Sequence, residues 1–262
     1  MKHIKLAFED GLATLTLASP PNNRFGIDMV NEINDAVDEI AEKKARAILL
    51  CADGDDFCFG GDIEPWPRLR PQDLQANFER FMLVFNRLER LPVPIIGAVQ
   101  GLCNGGGFEL ALRADILFAA EDARFSHSEQ SLGFVTVLGG VYRVAERVGS
   151  RLAYQWALTS EKVPAAVMER HGLVNKLFAR DRLLAEATGF AKQVASGATM
   201  AHAAHKALLR SWSVGGVAAT DDVMFDLTNH LLDSADMKKG IASAYAAFVS
   251  GGERPVITFD GR

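Results

Sequence analysis

Cysteine is scarce in this sequence: three residues in 262, Cys51, Cys58 and Cys103. Three is an odd number and too few for a disulfide framework, and none sits in a CxxC pair or beside His-rich spacing. A stapled fold and a cysteine-built metal site are both argued against. The expectation is free thiols, buried or half-buried, in a reducing compartment. Long hydrophobic runs are also missing, since no stretch nears the roughly 18 apolar residues of a membrane span. Met1-Lys2-His3-Ile4-Lys5 leads straight into alternating residues, without an apolar stretch of signal-peptide length. The sequence therefore reads as soluble and cytoplasmic, with no membrane partner. Basic charge is in deficit: 28 Lys and Arg against 33 Asp and Glu leave a net charge of −5. Nothing general calls for a nucleic-acid partner, although a local basic patch for a phosphorylated ligand is compatible with that balance.

What is present suffices for one large core, because 48% of residues are hydrophobic and 23% charged. Ile4 to Phe8 and Leu12 to Leu17 flank Glu9-Asp10-Gly11, and an Asp-Gly pair between two alternating runs predicts a β-hairpin. Ile27, Val30, Ile33, Val37 and Ile40 recur at steps of three and four and predict a helix. Ala47 to Cys51 and Ile95 to Val99 are short apolar runs bounded by turn residues, the pattern of buried strands. Glu64 to Pro71, with three prolines and Trp66, reads as irregular. Leu74, Phe78, Phe81, Phe85 and Leu88 restore the helical period. A short helix is expected from about Phe108 and a strand near Asp115 to Ala119. From about Gly139 the chain turns mostly helical. Strands alternating with helices, then helices alone, imply an α/β core followed by a helical C-terminal part.

Two Gly-rich loops each follow a buried strand and are expected to open a helix: Phe57-Cys58-Phe59-Gly60-Gly61-Asp62-Ile63, and Gly101-Leu102-Cys103-Asn104-Gly105-Gly106-Gly107-Phe108-Glu109. Glycine lets backbone approach a ligand closely, and a helix N-terminus adds positive potential. Two N–H groups meeting at one oxygen would form an oxyanion hole. Taken alone, such loops are more often tight turns with helix caps, Asp62 being one cap. Glu109 follows the triplet within its first helical turn, and Glu129 lies in the polar stretch Ser126-His127-Ser128-Glu129-Gln130. The gap between them spans a helix and a strand, so they can meet only across a cleft made by the fold.

These loops, their order and the glutamates resemble the crotonase (enoyl-CoA hydratase/isomerase) family. Phe57 to Ile63 is similar to the family's F-x-A-G-A-D-[IL], with Phe59 and Gly61 where Ala is usual. Gln100 to Ala111 is similar to N-G-x-x-x-G-G-G-x-E-L-A. Glu129 falls where the hydratases carry their second Glu. Asp115-Ile116, Ala123-Arg124-Phe125, Gly139-Gly140 with Arg143-Val144, His171 to Asn175, and Asn23 to Met29 extend the resemblance over nearly the whole chain, most loosely after Thr188.

The resemblance implies a spiral of strand–strand–helix turns over residues 1–188. Residues 189–262 would be helices that drive a homotrimer or a homohexamer built from two trimers. It implies an acyl-CoA substrate and no cofactor beyond the CoA moiety. The oxyanion-hole donors would be the N–H groups of Gly61 and Gly106, with Glu109 acting on water and Glu129 on the C2 proton. Substrate or CoA contacts would come from Asn22, Arg24, Phe59, Asp62, Ile63, Trp66 and Val137, with CoA lying between the first loop and Asn22 to Phe25. Lys238 and Lys239 read as a solvated charged face rather than phosphate ligands. The implied reaction is hydration of a 2-enoyl-CoA. Isomerisation of a 3-enoyl-CoA is the alternative, and lyase, decarboxylase and thioesterase chemistries occur on the same fold.

Departures from the pattern bear on that choice. Val135 to Val141 replaces the usual I-P-G-x-G-G-T, so Val137 stands where a Gly N–H helps seat the water. Phe59, Trp66 and Asn104 give an uncommon lining that would suit an aromatic, branched or polar acyl group. Two other classes are weaker, and a third is harder to set aside. A serine hydrolase built on Ser126 or Ser128 with His127 lacks the G-x-S-x-G strand–helix context. An RNA-binding role lacks a Lys/Arg-dense helix. A catalytically inert relative would keep the loops and bind CoA.

Overall fold

A computed structural model describes residues 1–261; Arg262, the last residue of the expected helical C-terminal region, lies outside the described residues. Asp10 and Gly11 both take positive φ, 48° and 81°, the turn whose twist matches a tight hairpin. It joins β1 (Ile4–Glu9) to β2 (Leu12–Leu17), with Leu6 opposite Leu15. Helix α1 (Ile27–Glu42) buries Val30, Ile33, Val37 and Ile40 of its expected apolar stripe, while Ile27 at its first turn stays exposed. Then come β3 (Ala47–Ala52), α2 (Pro71–Glu89), β4 (Ile95–Val99), β5 (Leu102–Asn104), α3 (Gly106–Ala111), β6 (Ile116–Ala120) and β7 (Arg124–Ser126). The chain continues through α4 (Gly140–Val148), α5 (Ser150–Thr159), β8 (Val163–Pro164), α6 (Ala165–Arg170) and β9 (Lys176–Phe178). It ends in α7 (Arg180–Ala195), α8 (Thr199–Thr228), which is broken by a kink at Gly216, and α9 (Ala235–Ser250).

The main sheet has the order β1-β2-β3-β4-β6-β9, parallel from β2 onward. All of β4 and all but the last residue of β3 are buried, as expected when helices cover both faces of a parallel sheet. A second layer runs alongside. Phe25 pairs with Gly61, Cys58 with Cys103, and β5 with β7, all parallel, and β7 pairs with β8 antiparallel. Each turn of the chain thus adds one strand to the main sheet and one short extended segment to the second layer. This spiral places the two Gly-rich loops in successive turns, one above the other.

Local departures from the sequence reading have simple causes. The second loop contains a short strand, β5, and its helix starts at Gly106 rather than Phe108. The first loop opens no helix. Its chain makes a 3-10 turn at Trp66–Arg68, and α2 begins only at Pro71, the first helical position where proline is tolerated. Asp62 is accordingly not a helix cap, and its carboxylate accepts the N–H of Glu64 two residues on. The C-terminal half carries β8 and β9, and β9 closes the edge of the main sheet. Helix α7 runs across residue 188 and lays Leu183, Ala187, Ala191 and Ala195 in the core. Among the described residues no helix is long and apolar enough to cross a membrane. The three cysteines are free and buried.

Arg46 ties the C-terminal segment to the core. Its guanidinium donates to Thr199 Oγ1 at 2.8 Å and to the carbonyls of Gly197 at 2.6 Å and Phe259 at 2.8 Å. Arg46→Met leaves these acceptors unpaired and should cost about 2 kcal/mol, read as a lower urea midpoint with an unchanged m-value.

Candidate functional site

The two loops touch through backbone at Gly60. Its φ is +95°, and a Cβ there would lie 3.0 Å from the Asn104 carbonyl oxygen and 3.3 Å from the Gly106 nitrogen, so only glycine fits. Gly61 follows directly. Its neighbours are committed to the second layer, Phe25 N–H donating to Gly60 O at 2.9 Å and Asp62 N–H to Phe25 O at 2.8 Å. The Gly61 N–H itself makes no hydrogen bond among the described residues. Gly106 is the first residue of α3, so its N–H has no helical partner and makes none elsewhere among the described residues. Gly61 N lies 3.8 Å from where a Cβ on Gly106 would sit. Two unpaired N–H groups therefore stand side by side at the mouth of a helix.

Glu109 is buried at 2% exposure in the first turn of α3. Its Oε1 accepts the N–H groups of Leu138 and Gly140, each at 2.8 Å. Burial, and then the charge of Glu129, push its carboxyl up to about 8, against the downward pull of those two bonds and of Arg113. Glu129 opens a 3-10 turn (Glu129–Leu132) after β7. Its Oε1 lies 3.0 Å from where a Cβ on Gly105 would be, and its Oε2 is buried without a partner. Burial raises its carboxyl as well. The spiral thus brings together two carboxyls from different turns, near enough for one charge to act on the other. That arrangement makes it costly to ionise both carboxyls at once.

Asn104 links the parts of this site. Its amide nitrogen donates to Phe59 O at 3.2 Å and Ser128 Oγ at 2.9 Å, and Ser126 Oγ donates to its Oδ1. Both serines are thereby committed. His127 has no partner on either ring nitrogen and packs against Phe108 at 4.9 Å. Burial pushes its imidazole down to about 4. No serine–histidine pair exists here, which removes the geometric basis for a serine hydrolase.

The remaining expected residues cluster around the first loop. Asn22 accepts the Phe59 N–H at 2.9 Å through its carbonyl. This bond and the two at Phe25 zip segment 22–25 to segment 59–62, so no gap runs between them and a ligand could only cross their joined edge. Arg24 is exposed, with its guanidinium 5.6 Å from the Phe59 ring centre. Ile63 is exposed. Trp66 lies over Gly61, its Cζ2 being 3.1 Å from where a Cβ would be, and an aromatic row continues to Phe78 at 5.3 Å and Phe134 at 5.5 Å beyond. Val137 is half-buried against the core, and its N–H bonds to nothing among the described residues. The donors at that turn are Leu138 and Gly140. Lys238 and Lys239 are engaged within the chain, by Asp233 and by the Thr258 carbonyl.

Sequence reading missed two residues. Asn23 is buried and ties its own segment to the first loop through three carbonyls, those of Asp53, Asp56 and Phe57. Arg113 is buried beneath Glu109. The available signal was its position four residues after Glu109, within a segment otherwise wholly apolar.

The glycine at 61 and the indole at 66 fit each other. Gly61→Ala should cost about 1–3 kcal/mol through overpacking, and adding Trp66→Leu should recover most of that loss. A double-mutant cycle by urea unfolding reads the coupling, and additivity would show that the two do not compete for space.

A strand–strand–helix spiral with paired N–H groups and two buried carboxyls at its turn ends defines a crotonase-fold α/β protein. The family model described as enoyl-CoA hydratase/isomerase matches residues 7–247, and the chain belongs to that family. It is 31% identical over 204 residues to the short-chain-enoyl-CoA hydratase of Clostridium acetobutylicum, covering 77% of this chain and 78% of that one. It is 32% identical over 169 residues to the mitochondrial enoyl-CoA hydratase of Pongo abelii, a match spanning 64% of this chain and 58% of that protein. The crystal structure of enoyl-CoA hydratase subunit I from Geobacillus kaustophilus superposes with a TM-score of 0.89 at 28% identity, covering 99% of this chain and 98% of that one.

Proposed function

We propose that this protein hydrates a 2-enoyl-CoA thioester. The observation that carries the reading is the placement of two buried carboxyls, Glu109 and Glu129, beside the unpaired N–H groups of Gly61 and Gly106. The thioester oxygen accepts both N–H groups and gains enolate charge as water adds. In other enzymes one such donor is worth about 10²–10³ in rate. Water gives its oxygen to C3 and one proton to Glu109, while Glu129 delivers a proton to C2. The C3–O and C2–H bonds form as the C2–C3 double bond and one water O–H bond break. The step starts from the state in which Glu109 is ionised and Glu129 protonated, one turnover leaves the proton on Glu109 instead, and exchange through solvent resets the pair. Trp66, Phe59 and Ile63 flank the acyl group, and Asn22, Arg24 and Asp62 flank CoA where it crosses the joined edge.

The test is the conjugated enoyl-thioester absorbance with crotonyl-CoA and with bulkier 2-enoyl-CoAs. Loss of the band, with appearance of the 3-hydroxyacyl-CoA by mass, is the expected result. No change with any of them, despite measurable CoA-ester binding, defeats the reading. One observation favours isomerisation of a 3-enoyl-CoA as a second reading. Val137 stands where a glycine would leave room for water, and an isomerase needs only one placed carboxylate.

The oligomer belongs to the same proposal. Trp212, Val214, Phe225, Tyr245 and Phe248 on α8 and α9 are each more than half exposed, and large apolar side chains left in water on two neighbouring helices favour a covering partner. We infer that copies of the chain cover it in a homotrimer or a pair of trimers. Sedimentation equilibrium should give a mass three or six times that of the chain, and a monomer at micromolar concentration would refute this.

A further inference from the structure

Behind Glu109 lies a charged cluster whose hydrogen bonds, among the described residues, reach no expected site residue but that glutamate. Arg113 has 1% exposure and packs its guanidinium 5.9 Å from the Phe85 ring centre. Its Nη1 donates to Asn86 Oδ1 and Glu89 Oε2, both at 2.7 Å. Its Nη2 donates to the Leu138 carbonyl, and its Nε reaches the Glu109 carbonyl at 3.3 Å. Glu89 also takes Arg143, through Nε at 3.0 Å and Nη2 at 2.7 Å. Arg143 in turn reaches the Gly139 carbonyl at 3.3 Å.

The turn from Leu138 to Gly140 is therefore held from two sides. Two arginines, joined by one carboxylate, fix the carbonyls of Leu138 and Gly139. The N–H groups of Leu138 and Gly140 are thereby aimed at one oxygen, Oε1 of Glu109. Oε2 of Glu109 makes no hydrogen bond among the described residues and is left for chemistry. Charge agrees with geometry: Arg113, Arg143 and Glu89 sum to one positive charge, and Arg113 pulls the raised Glu109 carboxyl back toward ionisation.

We propose that Arg113, anchored by Glu89, is a positioning residue: it locks the Leu138–Gly140 turn and so fixes which oxygen of Glu109 faces the substrate. The inference rests on the reading of Glu109 as the acid/base group. The groups facing that carboxyl are Glu129 and His127 from the segment after β7, Arg113 from its own segment, and, farther back, Glu89 on α2 and Arg143 on α4. Arg113 is the cation nearest in contact, so its removal raises the pH at which Glu109 ionises.

The test uses Arg113→Met, Arg113→Lys and Glu89→Gln, each first checked for cooperative unfolding. Hydrogen exchange at the Leu138 and Gly140 amides is compared with that at β4, and Glu109 is titrated by carboxyl carbon NMR. Neither measurement needs turnover, so failure of the hydration reading leaves them interpretable. Arg113→Met should lose protection at Leu138 and Gly140 while keeping it at β4, and its Glu109 midpoint should rise. Arg113→Lys keeps the charge but not the fork, so its midpoint should stay near wild type while protection is still lost. Glu89→Gln should lose protection at the same two amides. If the protein is a hydratase, kcat should fall about 100-fold in Arg113→Lys with KM nearly unchanged. Wild-type protection at both amides in any folded variant, or an unmoved Glu109 midpoint in folded Arg113→Met, overturns the proposal.

Discussion

Glu109→Gln should lose about 10²–10⁴ in kcat/KM for a 2-enoyl-CoA and, at alkaline pH, unfold at a higher temperature than wild type. Both effects have one source. Burial and the neighbouring Glu129 charge raise this carboxyl from its ordinary 4.5 to about 8 in the folded chain. The native state therefore holds a proton that the unfolded state has released. Its stabilising contribution is complete below the unfolded value, falls as pH rises, and is gone above about 8. At about 1.36 kcal/mol per pH unit the loss is of order 5 kcal/mol. Glutamine keeps an oxygen to accept the Leu138 and Gly140 N–H groups but carries no charge, so it escapes the penalty. Unfolding temperatures across pH should diverge on the alkaline side and converge toward acid. A glutamine variant with wild-type activity would remove Glu109 from the chemistry, and parallel stability curves would show that its carboxyl is not raised.

Glu129→Gln should lose a comparable 10²–10⁴ in rate and should also change Glu109. Glu129 is the second cause of the rise at Glu109, so neutralising it should lower the Glu109 midpoint. The alkaline limb of the wild-type pH–rate profile marks the loss of the pair's last proton. Rate-impaired Glu129→Gln should show residual activity whose pH dependence has moved to lower pH. By the same linkage Glu129→Gln should also unfold at a higher temperature than wild type on the alkaline side, because burial raises this carboxyl too. A variant that retains the wild-type Glu109 midpoint would show that the two carboxyls do not interact.

The extent to which the sequence discloses this arrangement follows from the range of the forces involved. The Asp10-Gly11 turn, the stripe of α1, and the apolar runs of β3 and β4 are local signals, and each forms where its pattern lies. Strands of two or three residues, such as β5, β7, β8 and β9, are too short to show a period, so their places are set by neighbouring turns of the spiral. The delayed start of α2 follows from Pro65 and Pro67, which hold the chain out of helix until Pro71. Glu109 and Glu129 could be singled out by resemblance, but their approach depends on two layers of parallel pairing that no local pattern encodes. Arg113 was easily passed over for a related reason. A lone arginine after Leu112 looks like a surface charge until α2 supplies Glu89 and the turn after Thr136 supplies the Leu138 carbonyl.

The most direct test of water addition by the glutamate pair is turnover of crotonyl-CoA in heavy-oxygen water and, separately, in deuterium oxide. The account predicts solvent oxygen at C3 and one solvent deuteron at C2, added to the same face, with both labels strongly slowed in Glu109→Gln and Glu129→Gln. Deuterium uptake with a shifted double bond and no solvent oxygen in any product would contradict hydration and leave isomerisation as the chemistry of the site.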